Sequence, residues 1–370
     1  MSAKSLELSP SVSRVRRALA SPLSRRRFLG GAAAVGLTFH GLPRAARAEG
    51  KLVFYNWATY IDEDTIPEFE SLADVEVVED FFASNDELFN KLRTGNPGFD
   101  VIVPSSPTLA RMIIAEIVQP LDHSAIPNKK NIAARFLDEE FDPGRRYSLP
   151  YTWGTVGVGY RKSAVDAPIT SWGEIFDSDQ YSGRIAVLDS AEDMIPAVMR
   201  YLGLSVNETD PAAIRRAGEV LRRAKPHFKA IAGDNGQDLL AAGEVDIAVE
   251  YNGDVVQVMA EDDDIDFVVP KEGTLIWQDV LSVPTGAPNP LAAHAFINTL
   301  LDRDVGARIA DYIQYATPNE AALALTAAEY RENPAIFPPD SVMRVSETSN
   351  YLGEEYEENI SRAWDEFHAA

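Results

Sequence analysis

Phe54-Tyr55-Asn56-Trp57-Ala58-Thr59-Tyr60 is the stretch on which the reading of this chain turns. The apolar run Leu52–Tyr55 reads as a strand that stops abruptly in Asn-Trp and a polar turn. A strand that delivers Trp and Tyr to its carboxyl end puts aromatic surface where open α/β sheets hold ligands. Trp57 and Tyr60 equally fit a plainer role as core residues, since aromatic side chains mostly bury. Recurrence favours a site. Aromatic and acidic or amide residues meet again in Tyr251-Asn252-Gly253-Asp254, Trp277-Gln278-Asp279 and Tyr315-Ala316-Thr317-Pro318-Asn319.

Outward from this strand, helical and extended patterns alternate. Residues 62–72 carry Ile66, Phe69 and Leu72 three apart on one helical face. Val75–Phe82 is a second strand. Ser84-Asn85-Asp86-Glu87 has the form of a capping box before a helix with Leu88, Phe89 and Leu92. Phe99–Val103 is apolar except for Asp100, the pattern of a strand buried on both faces. The alternation predicts a parallel sheet covered by helices. A Gly-rich crossing strand follows at Gly154–Gly159, whose spacing is the reverse of a dinucleotide fingerprint. A second α/β unit comes next, with strands at 184–188 and 245–250 and helices at 194–202, 211–224 and 238–242. Residues 265–270 and 280–284 read as further strands, 291–312 as strongly helical, and the acidic remainder after Asn319 as helical.

The chain has 370 residues, a length for about two domains. Ser24-Arg25-Arg26-Arg27-Phe28-Leu29, the largely apolar stretch from Gly30 to Leu42 and Ala46-Arg47-Ala48 form the three parts of a twin-arginine export signal over residues 1–48. That leader holds nine Lys/Arg and one acid. Taking them from the chain's 34 basic and 57 acidic residues leaves 25 and 56, a net charge of −31. Such a surface repels nucleic acid and anionic membranes and draws cations. The absence of cysteine excludes disulfides, zinc–thiolate sites and thiol catalysis.

Enzyme signatures are missing: there is no Gly-x-Ser-x-Gly elbow, no His-Glu-x-x-His and no Walker loop. An acidic pair such as Asp189 with Asp193 is a formal glycosidase dyad, though nothing in the spacing demands it. The residues better suit an elongated organic cation. Carboxylates meet its ammonium ends through charge-assisted hydrogen bonds, and Trp and Tyr faces cover its methylenes. Trp57, Tyr60, Tyr251, Trp277 and Tyr315 are the aromatic candidates; Asp193, Asp254 and Asp279 are the acidic ones. A cleft that closes and excludes water strengthens those ion pairs.

Phe-Tyr-Asn-Trp at 54–57, Phe-Asp-Val-Ile-Val-Pro-Ser at 99–105 and Tyr-Ser-Leu-Pro-Tyr-Thr-Trp-Gly at 147–154 carry a resemblance. So do Thr-Ser-Trp from 170, Tyr-Ser-Gly-Arg from 181, Pro-Lys-Glu-Gly at 270–273, Trp-Gln-Asp at 277–279 and Tyr-Ala-Thr-Pro-Asn at 315–319. In this order, residues 51–370 resemble the periplasmic spermidine/putrescine-binding proteins of polyamine ABC importers. The resemblance implies a two-lobed α/β solute-binding fold with hinge crossovers and a ligand cleft between the lobes. One lobe is expected to take residues 49–153 and 278–323, the other 154–277 and 324–370. It implies a monomeric, non-enzymatic periplasmic receptor without a cofactor, whose partners are a polyamine and an ABC permease. Position by position, Trp57 and Tyr60 line the cleft from the first lobe. Trp277 and Asp279 lie near a hinge crossing, and Asp193, Asp254 and Tyr251 come from the second lobe. Tyr315 completes an aromatic box, with Ala58, Thr59 and Ser190 as neighbours. The sequence departs from the pattern at Thr59 and Ser190, where relatives can carry an acid, at Tyr251, where they usually carry Trp, and at Pro107. The choice among putrescine, spermidine, another amine and a different solute stays open.

Overall fold

The computed structural model describes residues 50–370 except residue 234. The expected export leader lies outside the described residues. Ten strands form one sheet in the order β2-β1-β3-β9-β4-β7-β5-β6, with β10 added to β9 and β8 to β4. They are β1 Gly50–Asn56, β2 Val75–Phe81, β3 Val101–Ile102, β4 Ser148–Arg161, β5 Ile185–Leu188, β6 Phe228–Ala232, β7 Ile247–Tyr251, β8 Ile265–Val268, β9 Leu275–Ser282 and β10 Glu347–Thr348.

The sheet has two parallel halves. β1 pairs in parallel with β2 and β3; β5 pairs in parallel with β6 and β7. Between them run β4 and β9, antiparallel to each other, β9 also antiparallel to β3 of the first half and β4 to β7 of the second. Residues 148–155 of β4 pair with β9, and residues 156–161 go on to pair with β7 and β8. Both faces of each half are covered. Leu52 and Phe54 of β1 enter one core with Leu281, while Tyr55 enters another with Val280. Ile247 and Val249 of β7 enter a third, while Ala248 enters a fourth. The side-chain period of two sorts each strand between its faces. This is the two-lobed α/β fold, with the crossover strands joining the lobes.

Helices follow the strands: α1 Thr65–Ala73, α2 Asn85–Leu92, α3 Ser106–Ile114, α4 Ala191–Tyr201, α5 Pro211–Ala224, α6 Gly236–Ala241, α7 Asn252–Met259, α8 Pro290–Leu300, α9 Arg303–Ile313 and α10 Glu354–Ala369. The capping box forms with a shift. Ser84 Oγ accepts from Glu87 N, but Glu87 Oε2 reaches Ala83 N rather than the cap residue's own N–H. Asp100 is fully buried and accepts from Val53 N and Asn289 N, tying β1 to the loop before α8.

Three expectations need correction and one is refined. β9 begins at Leu275, so Trp277-Gln278-Asp279 lies inside a crossover strand rather than before one. β6 was not anticipated: its half-buried FKAIA lacks the apolar run of an interior strand, because it is an edge. The stretch 291–312 is helical as expected but divides into two helices at Leu301-Asp302, where Asp302 caps α9 by accepting from Asp304 N and Val305 N. After Asn319 come short turns of helix at 320–323, 328–331 and 340–343 and strand β10, and only then α10.

Candidate functional site

Three loops at the carboxyl ends of parallel strands are built alike. β5 runs through Asp189 to Ser190, the N-cap of α4, and Asp193 sits in the first turn. β7 ends at Tyr251, the N-cap of α7, and Asp254 sits in its first turn. β3 leads to Ser105, the N-cap of α3. A helix N-terminus favours negative charge, so Asp193 and Asp254 are held where carboxylates are tolerated. The two cap serines make no side-chain cap bond among the described residues. Their hydroxyls serve carboxylates instead: Ser190 Oγ donates to Asp193 Oδ2 at 2.5 Å, and Ser105 Oγ donates to Asp279 Oδ1 at 2.7 Å.

Each acid has a phenol as well. Tyr251 Oη donates to Asp193 Oδ2 at 2.7 Å, Tyr60 Oη to Asp279 Oδ2 at 2.8 Å and Tyr315 Oη to Asp254 Oδ2 at 2.7 Å. Tyr60 Oη also shares a 2.6 Å hydrogen bond with Thr152 Oγ1. The rings join these pairs into one structure. Tyr60 meets Tyr315 at 5.7 Å, Tyr315 meets Trp277 edge-on at 4.9 Å, and Trp277 meets Tyr251 at 6.2 Å and 90°. Tyr251 and Trp277 pack against the cores of both lobes. Edge-to-face geometry aligns positive ring edges with negative faces and holds the rings in place.

Eight of the ten residues expected from sequence are thus in one connected network: Tyr60, Ser190, Asp193, Tyr251, Asp254, Trp277, Asp279 and Tyr315. The other two stand apart. Trp57 is half-buried, tilts against Phe82 at 4.4 Å, and its indole N–H donates to Val103 O at 3.0 Å. Thr59 is exposed, in the left-handed region at φ 57°, and spends its hydroxyl on Ala58 O. Asp189 does not pair with Asp193 as a dyad; it is exposed and accepts from His368 Nε2 at 2.8 Å. Ser105 and Thr152 were missed. A Ser at the end of a buried strand and the start of a helix was the available signal for the first. Thr152 lay inside an apolar strand and gave none.

Burial governs the electrostatics. Asp279 is 5% exposed, and desolvation pushes its carboxyl up to about 6 against the hydroxyls of Ser105 and Tyr60, with the Asp193 charge adding to the rise. Desolvation raises Asp193 too, opposed by Ser190 and Tyr251. An incoming cation favours the ionised form of a buried carboxylate and offsets its desolvation. On the far face of β9, buried Arg145 donates to Gln278 Oε1 at 2.7 Å and to Phe136 O at 2.6 Å, anchoring the strand between Trp277 and Asp279.

Two α/β lobes joined by antiparallel crossovers, with paired carboxylates and phenols at the joint, define a protein that takes a small solute into a cleft. Residues 64–338 match the family described as bacterial extracellular solute-binding protein. The chain is 33% identical to the putrescine-binding periplasmic protein PotF of Escherichia coli, over 92% of this chain and 97% of that protein. It is 32% identical to the putrescine-binding periplasmic protein SpuD of Pseudomonas aeruginosa, over 86% and 92%. The solved structure of the spermidine/putrescine ABC transporter substrate-binding protein PotD from Streptococcus pneumoniae superposes with a TM-score of 0.77 at 30% identity, covering 87% of this chain and 99% of that one. The chain belongs to the bacterial extracellular solute-binding protein family.

Proposed function

We propose that this chain is a periplasmic polyamine receptor that closes on putrescine, spermidine or a related amine and presents it to an ABC importer. The observation that carries the reading is the pairing of each of three acids with a phenol whose ring belongs to one aromatic cluster. Ammonium groups are satisfied by the carboxylates, each charge-assisted bond contributing roughly 1.5–3 kcal/mol. Methylenes lie against Trp and Tyr faces. Asp279 comes from a crossover strand and Asp193 from a helix of the second lobe, so one cation bridging them favours closure. The names of the relatives, putrescine-binding in both cases, point the same way.

The ligand-binding set in this reading is Trp57, Thr59, Tyr60, Ser190, Asp193, Tyr251, Asp254, Trp277, Asp279 and Tyr315, to which Ser105 is added. We take residues 49–153 with 278–323 and residues 154–277 with 324–370 as the two lobes, the receptor as a monomer without catalytic activity, and residues 1–48 as its twin-arginine leader. Arg25→Lys with Arg26→Lys then retains the uncleaved protein inside the cell, and export by these variants overturns the route. Calorimetric titration of the chain from Glu49, refolded to strip carried-over ligand, tests the function. Putrescine, cadaverine, spermidine and spermine are titrated beside an amino-acid control. Tight one-to-one binding of an amine is expected. A folded protein that binds none of them refutes the reading and favours another solute in the same cleft, for which the neutral, outward Thr59 is the motive.

A further inference from the structure

Two glycines lie directly behind the rings of the aromatic cluster. Gly154 of β4 is the cross-strand partner of Trp277 on β9, and the indole folds over it. A Cβ on Gly154 meets Trp277 Cε2 at 2.8 Å, with Cζ2 closer still. Gly253 occupies the first turn of α7, beside Asp254. A Cβ there meets three carbons of the Tyr315 ring, Cδ1, Cε1 and Cγ, at 2.5–2.7 Å. Gly253 is not in the left-handed region, so its backbone suits alanine. The ring is what excludes a side chain at that position.

Tyr315 is held in its place by several neighbours. Tyr330, buried, donates its hydroxyl to Tyr315 O at 2.6 Å and accepts from Thr317 N at 3.0 Å, pinning the backbone on both sides of Ala316. Tyr60 and Trp277 press on the ring's other sides, and its own hydroxyl is held by Asp254. Carbon atoms pack at about 3.5–4.0 Å, so a methyl on Gly253 must drive the ring about 1 Å toward its neighbours or break the Asp254 bond.

We propose that Gly253 is a positioning residue: its missing Cβ seats the Tyr315 ring against the backbone of α7 and so sets the position of one wall of the amine-binding box. Gly154 seats Trp277 in the same way. The inference rests on the polyamine reading and adds to it a residue that touches no ligand. Because Cβ at Gly154 also meets the Asn252 side chain, which accepts from Thr155 N, Gly253 is the cleaner site to test.

The test is a double-mutant cycle of Gly253→Ala and Tyr315→Ala, read by calorimetric titration with putrescine and spermidine and by the melting temperature without ligand. Gly253→Ala alone is expected to weaken binding tenfold or more and to lower the melting temperature. In the Tyr315→Ala background the same change leaves affinity within twofold and no longer lowers the melting temperature, since no ring remains to be displaced. An equal cost in both backgrounds, or undiminished affinity in Gly253→Ala, overturns the proposal. Should Gly253→Ala not fold alone, the double variant decides: it must fold and bind as Tyr315→Ala does, and a tenfold further loss overturns the seat. Wild-type protein that binds no amine refutes the polyamine reading itself and this inference with it, an outcome distinct from a flat cycle in a protein that binds.

Discussion

Tyr60 Oη donates to Asp279 Oδ2 at 2.8 Å, joining the loop after β1 to a residue 219 positions away inside crossover strand β9. The bond favours the charged carboxylate against burial. Tyr60→Phe removes it, pushes Asp279 further up and leaves less carboxylate for an ammonium. The expected result is a loss of amine affinity of several-fold to tenfold at pH 7, measured by calorimetric titration, with a smaller loss at pH 8.5 where ionisation is restored.

Asp279 itself sets a pH dependence with a definite sign. Its carboxyl in the fold titrates near 6, above the ordinary 3.8. The folded state therefore binds more protons than the unfolded state between about pH 4 and 6, and stability falls as pH rises through that window. A rise of about two units corresponds to about 3 kcal/mol. Asp279→Asn is thus expected to raise the melting temperature of ligand-free protein at pH 7.5 and to have little effect near pH 4. Its amine affinity falls tenfold or more. A variant that is both less stable at pH 7.5 and undiminished in binding contradicts the account.

Ligand uptake near pH 6 should release a proton from the same group, because an ammonium needs the ionised carboxylate. Titrations in buffers of different ionisation enthalpy then give different apparent heats at pH 6 and converge at pH 8.

Ser190 holds the N-cap position of α4 yet gives its hydroxyl to Asp193. A Ser→Ala change at a helix cap ordinarily costs about 1 kcal/mol. Ser190→Ala, with no cap bond to lose, should shift the thermal midpoint by less than Asp302→Ala, which removes a working cap from α9. Its effect appears instead as several-fold weaker amine binding.

Thr59 is β-branched and sits at φ 57°. Asp and Asn enter that region more readily than Thr. Thr59→Asp should therefore be neutral or stabilising in thermal melts. It also adds a carboxylate beside Trp57, and spermidine affinity is expected to rise more than putrescine affinity. An unchanged ratio removes residue 59 from the site.

Strand and helix alternation, the parallel halves and most of the aromatic and acidic candidates were legible because periodicity is a local property of the chain. Leu52–Tyr55 and the apolar faces of Asn85–Leu92 and Pro211–Ala224 announce their own burial. Edge strands and breaks do not: β6 is half-exposed, and the stop at Leu301-Asp302 depends on one cap. The start of β9 was hidden because polar groups occupy both of its faces: Trp277 and Asp279 turn to the ring cluster and Tyr60, and Gln278 turns to Arg145.

Sequence patterning alone established α/β units with aromatic and acidic groups at strand ends, and the shared motifs implied the two-lobed arrangement. Which acid meets which phenol, that Ser105 and Thr152 join them, that Trp57 and Thr59 stand apart, and that glycine lies behind two of the rings were decided only by the folded chain. Those relationships are contacts between segments tens to hundreds of residues apart. They depend on the register of β4 against β9, which no local pattern encodes.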